Sequence, residues 1–237
     1  MSSFVLKIIA IISMVFDHGG YVLFKSISPF NYIGRIAFPI FAFQITEGYI
    51  HTSNFKKYCI RLFVFALISQ IPYSLFLSKI SNNIYVLNIF FTLLFGLASI
   101  YVYDIINKSN IFSNYKNCNN LKKCLGICLA IIIGILGNIA NVDYGFWGIA
   151  VIFMFYLFKN DKPAMVISFI TACIIKYGIE IIKYGFNISY IFLCIFTMLS
   201  IVFILLYNKK QGKKAKYLFY AFYPVHLLIF YFLFNII

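Results

Sequence analysis

What most constrains this chain is the recurrence, from end to end, of apolar runs about 20 residues long. A run of that length crosses ~30 Å of hydrocarbon as an α-helix, whereas a transmembrane strand needs only ~10 residues. Lipid offers no hydrogen bonds, so each such run must satisfy its own backbone, and a helix does so within the segment. Only 11% of the residues are charged and 63% are hydrophobic, which excludes a soluble globule with its usual charged fraction of ~25%. Nine runs are delimited: 4–24, 33–51, 58–78, 85–104, 121–140, 145–158, 163–182, 188–207 and 217–236. The sixth is short, and only the polar turn 138–145 separates it from the fifth. The first run carries a single early cation, Lys7, and no small-residue cleavage pattern follows it, so it is expected to remain in the mature protein. The chain therefore reads as all-α, a polytopic transmembrane bundle of about nine spans, forming one integral-membrane domain over residues 1–237. No soluble domain can be cut from its short loops, and no internal repeat suggests a transporter built from inverted halves.

The net charge is +14. In a soluble protein that would suggest nucleic acid as a partner; here it is read as topogenic charge, with no nucleic-acid role. Fifteen of the 20 cations (Lys7, Lys56, Lys57, Arg61, Lys108, Lys116, Lys122, Lys123, Lys159, Lys162, Lys209, Lys210, Lys213, Lys214 and Lys216) fall on one side of the nine-span topology. The other side receives Lys25, Arg35, Lys79, Lys176 and Lys183. The positive-inside rule then predicts a cytoplasmic N-terminus. The six cysteines are scattered, without CxxC or zinc-like spacing, so neither a metal site nor a disulfide framework is expected.

Against this apolar background the polar residues inside the runs are candidates for function, because burying them in lipid is costly. Asp17 and His18 lie in the first run, followed by Gly19-Gly20, which suggests local unwinding or close helix approach. Neighbours on a helix diverge by ~100°, so Asp17 cannot readily orient His18. Arg35, at the same level in the second run, is the natural counter-ion for Asp17. Lys7 and His18, 11 positions apart, share nearly one face ~17 Å apart along the axis. Gln44, Glu47 and His51 form a stripe on the second run. The basic segment His51, Lys56, Lys57, Arg61 beyond it suits coenzyme phosphates or anionic head groups. Pro72 is expected to interrupt the third run, and Asn88 and Thr92 to bridge helices. Asp143, in the tight turn between the fifth and sixth runs, belongs to the face of His18. His226 lies about midway along the last run beside Pro224, and Tyr220, Tyr223 and His226 step by three along one polar edge.

The blocks Asp17-His18-Gly19, Gly34-Arg35-Ile36-Ala37-Phe38-Pro39-Ile40-Phe41-Ala42, Glu47-Gly48, Ile71-Pro72, Asn88-Ile89-Phe90-Phe91-Thr92, Asp143-Tyr144-Gly145 and Phe222-Tyr223-Pro224-Val225-His226-Leu227, in this order, resemble the TraX family, named for conjugative-pilus proteins that acetylate the pilin N-terminus. The cation eleven residues before His18, with the Gly34-Arg35 and Pro39-Ile40-Phe41 block, is more distantly similar to integral-membrane acyltransferases of the type-three superfamily. Lys7 departs from the arginine usual there and lacks its planar fork. The resemblance implies acetyl transfer from acetyl-CoA, taken from the cytoplasm, to an acceptor in the cell envelope: a pilin-like protein amine, a glycan or a lipid group. It implies His18 as the catalytic residue, either as base or as transient carrier of the acetyl group, with Asp17, Arg35 and Glu47 in the catalytic set and His226, Asp143, Tyr223 and Asn88 as secondary candidates. Lys56, Lys57, Arg61 and His51 would anchor the coenzyme, with no metal involved and membrane lipid as the surroundings. From the residues alone, a proton-coupled transporter or channel lined by Asp17, His18, Glu47 and His226 is the competing expectation.

Overall fold

The computed structural model describes residues 1–81, 85–112, 117–213 and 215–236. Lys116 and Lys214 of the topogenic set lie outside them. The described residues form ten helices: α1 (Ser3–Phe24), α2 (Pro29–Gly34), α3 (Ala37–Ile50), α4 (Phe55–Ile80), α5 (Ile89–Lys108), α6 (Cys118–Ile139), α7 (Gly145–Leu157), α8 (Lys162–Tyr184), α9 (Ile188–Leu205) and α10 (Lys216–Ile236). All nine predicted runs are helical, and the fold is all-α. Seven helices (α1, α4, α5, α6, α8, α9 and α10) are long and apolar enough to cross a membrane, and α7 is a shorter apolar helix. The protein is a multi-pass membrane bundle.

The second and sixth predicted runs are the short helices α3, 14 residues, and α7, 13 residues. At 1.5 Å per residue each extends only ~20 Å. They pack against each other in the middle of the bundle, flanked by α1, α5, α6, α8 and α9. A helix enclosed by protein need not span the hydrocarbon, because its ends find partners other than lipid. Accordingly Ile40, Ala42, Val151 and Ile152 are completely buried.

The second run also begins differently from its prediction. Its apolar pattern crosses Arg35-Ile36, but the backbone turns there, and α2 is a separate short helix laid against α1. Pro29 in its first turn and Ser28 and Asn31 in a reciprocal capping box start it. The contact with α1 is closer than side chains allow: a Cβ on Gly34 would stand 2.6 Å from Cγ of Asp17, and one on Gly20 would stand 2.8 Å from Oγ of Ser28. Of the two roles expected for Gly19-Gly20, close approach is the one observed; α1 is not unwound. Pro72 does not end its helix either, since α4 continues to Ile80.

The connections gather at two ends. At one, Asp104 of α5 accepts hydrogen bonds from Tyr49 of α3, at 2.9 Å, and from Tyr156 of α7, while Lys108 lies 3.3 Å away. The segment after α9 lies against the N-terminus, with Ser3 N donating to Lys210 O at 2.8 Å and Phe4 N to Gln211 O at 3.1 Å. This end carries the described cations of the basic set. At the other end, Leu87, just before α5, pairs with the α6–α7 turn: Leu87 N donates to Asn141 O at 2.9 Å and Asp143 N to Leu87 O at 2.7 Å. That pairing tucks Asp143 inward, and Thr92 Oγ1 donates to its carbonyl.

Candidate functional site

Asp17 and Arg35 form the pair expected from their shared level. Nη2 of Arg35 lies 2.7 Å from both carboxylate oxygens of Asp17. Asn31 of α2 completes the cradle, its Nδ2 donating to the Asp17 carbonyl at 2.8 Å and to Oδ1 at 3.2 Å, while its own carbonyl accepts from Arg35 Nε at 3.4 Å. Asn31 is completely buried and passed unnoticed in the sequence, where a polar residue in a Pro-led turn reads as a cap and nothing more.

His18, one residue on, points elsewhere. Its Nδ1 is 2.8 Å from Nε2 of His226 on α10, and Nδ1 of His226 is 2.9 Å from the Phe222 carbonyl. The two imidazoles, 208 residues apart in sequence, lie nearly parallel, at 10°, with centroids 5.0 Å apart, and meet edge to edge through these nitrogens. Phe76 and Phe230 surround His18 at centroid distances of 4.9 and 6.3 Å.

Two cavities meet at this point. The larger, about 560 Å³, runs from the basic end inward: Lys7, His51, Arg61, Gln211 and Lys213 line its mouth, and Met14, Phe38, Phe41, Phe90 and Tyr223 its apolar depth. The smaller, about 250 Å³, lies toward the opposite end beneath Tyr21, Arg35, Phe76 and Lys176. Asp17, His18, Tyr73, Asp143 and Tyr144 border both. A molecule reaching inward from the basic end and one entering from the other would therefore meet beside His18.

Asp143 is the acid at that junction with capacity to spare. Its Oδ1 accepts from Tyr144 N at 3.0 Å, and Oδ2 receives no hydrogen bond from the described residues. Burial pushes the carboxyl up to about 6, against the opposing pull of Arg35 and Lys176. Lys176, which the sequence offered only as a topogenic charge, stands 4.5 Å over the Trp147 ring and 5.1 Å over that of Tyr144, with Glu180 at 3.9 Å.

The remaining candidates divide. Tyr223, on the polar edge of α10, lines the larger cavity beside His226. Glu47 does not line it; this carboxylate faces His51 at 3.6 Å and is hydrogen-bonded to Tyr207. Asn88 does not either: it caps α5 through Phe90 N at 3.0 Å and bridges to Ala66 O and Gln70 on α4 at 2.7 and 2.8 Å, the helix-bridging role expected for it. Of the proposed anchors, Arg61 and His51 reach the mouth, whereas Lys56 and Lys57 occupy the exposed first turn of α4 outside it. The mouth is also lined by Lys7, whose ammonium lies 5.5 Å from the Phe219 ring, and by Lys213 from the segment before α10. Gln44 was legible as part of a stripe. It lines the larger cavity with Oε1 held by Ser3 Oγ at 2.6 Å and Nε2 buried without a partner among the described residues, and Arg61 Nε is likewise unpartnered among them. Two spare donors along a cavity with a cationic mouth suit a phosphorylated ligand whose arm carries carbonyl groups.

A family model described as TraX protein matches residues 2–234. The chain is 25% identical over 241 residues to a probable fimbrial assembly protein, FimC of serogroup H1, from Dichelobacter nodosus, covering 96% of this chain and 93% of that one. It is 27% identical over 159 residues to an uncharacterized protein, RP591, of Rickettsia prowazekii strain Madrid E, covering 66% of this chain and 56% of that one. No solved structure matches.

Proposed function

From the premise that the chain belongs to the TraX family, we propose that it is an integral-membrane acyltransferase moving an acetyl group from acetyl-CoA to an amine in the cell envelope, with His18 as base. The observation that carries this reading is the junction at His18, where a cavity with a cationic mouth meets a second cavity from the opposite end. By the positive-inside rule the basic end is cytoplasmic, so the donor enters past Lys7, Arg61 and Lys213. Their charge offsets that of the coenzyme phosphates, and the apolar depth receives the thioester arm. The acceptor comes from the other side. Asp143 favours an amine over a hydroxyl, because its carboxylate can form a charge-assisted hydrogen bond with an ammonium group where a hydroxyl offers only a neutral donor, and the fimbrial relative supports a pilus-subunit-like protein as its source. In the transfer step the ammonium first gives one proton to the Asp143 carboxylate; the neutral amine nitrogen then bonds to the acetyl carbon, the carbon–sulfur bond breaks, and His18 takes the second amine proton and returns it to the departing sulfur. Asp17 and Arg35 hold the start of α3 against α1 and so fix the walls of the site.

The test is transfer of labelled acetyl from acetyl-CoA across proteoliposomes to an acceptor peptide with a free N-terminus. Substitution His18→Ala should abolish transfer without loss of folded protein; undiminished transfer would end the assignment. The same pair of opposed cavities suits a proton-coupled transporter, the competing reading. That reading requires solute or proton flux without any acyl donor, and such flux, persisting after acetyl-CoA is removed, would replace the enzyme reading.

A further inference from the structure

We propose that His226 is a positioning residue which fixes the tautomer of His18, so that Nδ1 of His18 carries the proton and Nε2 is the nitrogen that accepts one from the acceptor. The proposal rests on the acyl-transfer reading for its chemistry, but on geometry alone for the tautomer. A carbonyl oxygen can only accept, so the 2.9 Å contact of His226 Nδ1 with the Phe222 carbonyl requires a proton on that nitrogen. The two residues are four apart on α10, so the helix itself supplies the acceptor. The other nitrogen of a neutral His226 then holds a lone pair, and it is this Nε2 that lies 2.8 Å from His18 Nδ1. His18 must donate there, which leaves its own Nε2 bare.

The alternative arrangement, with His226 doubly protonated and donating to His18, would put a cation among Phe222, Tyr223 and Phe230. The described ion pairs provide neither ring with a buried counter-ion, and an unpaired charge in apolar surroundings is costly. The Phe222 carbonyl, His226 and His18 therefore form a directed chain of hydrogen bonds, the role a carboxylate plays behind the histidine of other acyl-transfer sites. Here Asp17 cannot take that role because Arg35 and Asn31 occupy it. When His18 accepts the acceptor's proton at Nε2, its Nδ1–H continues to donate to His226, and the developing positive charge strengthens that bond.

The chain contains three histidines, His18, His51 and His226, so histidine-selective ¹⁵N spectra of the whole protein in nanodiscs can be assigned by single substitution. The expected spectrum shows His18 protonated at Nδ1 and bare at Nε2. His226→Gln, whose amide oxygen still accepts, should keep that tautomer and most of the turnover. His226→Leu should release it and lower kcat by about 100-fold, the usual scale of a correctly presented base, with KM for both substrates unchanged. Folding of each variant is checked through the fluorescence of Trp147, the single tryptophan. A wild-type spectrum with the proton on Nε2, an unchanged tautomer in His226→Leu, or equal turnover in the Gln and Leu variants would overturn the proposal. The expected tautomer in a protein that transfers no acetyl would uphold the positioning role and remove the acyl-transfer reading instead.

Discussion

Cutting the Asp17–Arg35 pair at one end leaves a charge buried among helices. The two side chains are 12% and 19% exposed, and one guanidinium nitrogen serves both carboxylate oxygens at 2.7 Å. Screening at that depth is weak, and breaking a buried pair by removing one partner costs about 3–5 kcal/mol, mostly because the survivor is uncompensated. Asp17→Asn preserves shape and leaves Arg35 with its 3.4 Å bond to the Asn31 carbonyl and its hydrogen bond with Tyr21, two neutral partners in place of a carboxylate. Arg35→Met leaves Asp17 with the amide of Asn31. Each single change should therefore lower the folded-to-unfolded ratio by roughly 150- to 5,000-fold, at about 1.36 kcal/mol per decade. The double variant contains neither orphan and should lose only about 1–2 kcal/mol, because neutral replacements of similar volume often break even. The assay is reversible unfolding in mixed micelles, followed by Trp147 and analysed as a double-mutant cycle. If the double variant lost the sum of the two single costs, the pair would not be coupled and the account of α2 and α3 held to α1 through Asp17 would fail.

Other expected outcomes follow from the same contacts. Gly34→Ala should be destabilised by about 1–3 kcal/mol, since its methyl group would meet Asp17 at 2.6–2.7 Å, and should also lower transfer by displacing α2; a neutral result in the micelle assay would refute the close approach. Neutralising Arg61 together with Lys213 should raise KM for acetyl-CoA and flatten its salt dependence, whereas Lys56→Gln with Lys57→Gln should leave it unchanged; the reverse order would return the anchoring role to the first turn of α4. For Asp143, the carboxyl shifts from an ordinary 3.8 to about 6, so the folded protein binds the proton more tightly than the unfolded chain between those values. Its contribution to stability thus falls as pH rises from about 4 to 6, and Asp143→Asn should be more stable than the native protein at pH 7. The same ionisation should raise kcat/KM for an amine acceptor as pH passes about 6, a limb that Asp143→Asn should lack.

The helical runs were legible because lipid enforces one rule on every spanning segment, and the Asp17–Arg35 pair because that rule makes an intramembrane acid seek a cation at its own depth. What escaped was non-local. The break at Arg35-Ile36 interrupts no hydrophobic pattern. Lys213 reaches the cavity mouth because the segment before α10 is bonded to the N-terminus, and Lys56 and Lys57, adjacent in sequence to the right region, begin a helix one turn too far out. The acids show why depth in an apolar run was an incomplete guide to chemistry. Of the six in the chain, Asp17 is held by Arg35, Glu47 by His51, Asp104 by two tyrosines and Lys108, Asp161 by the N-terminus of α8 and Glu180 by Lys176. The cost of burial ensures that the deepest acids are satisfied, and a satisfied carboxylate has little left for a substrate. Asp143 escapes that requirement because it arrives from a turn, not a span: its backbone is held by Leu87 and Thr92, leaving one side-chain oxygen open to the junction where His18 waits. The acid of the tight turn between the fifth and sixth runs is thus the one best placed to meet the amine of the proposed acceptor.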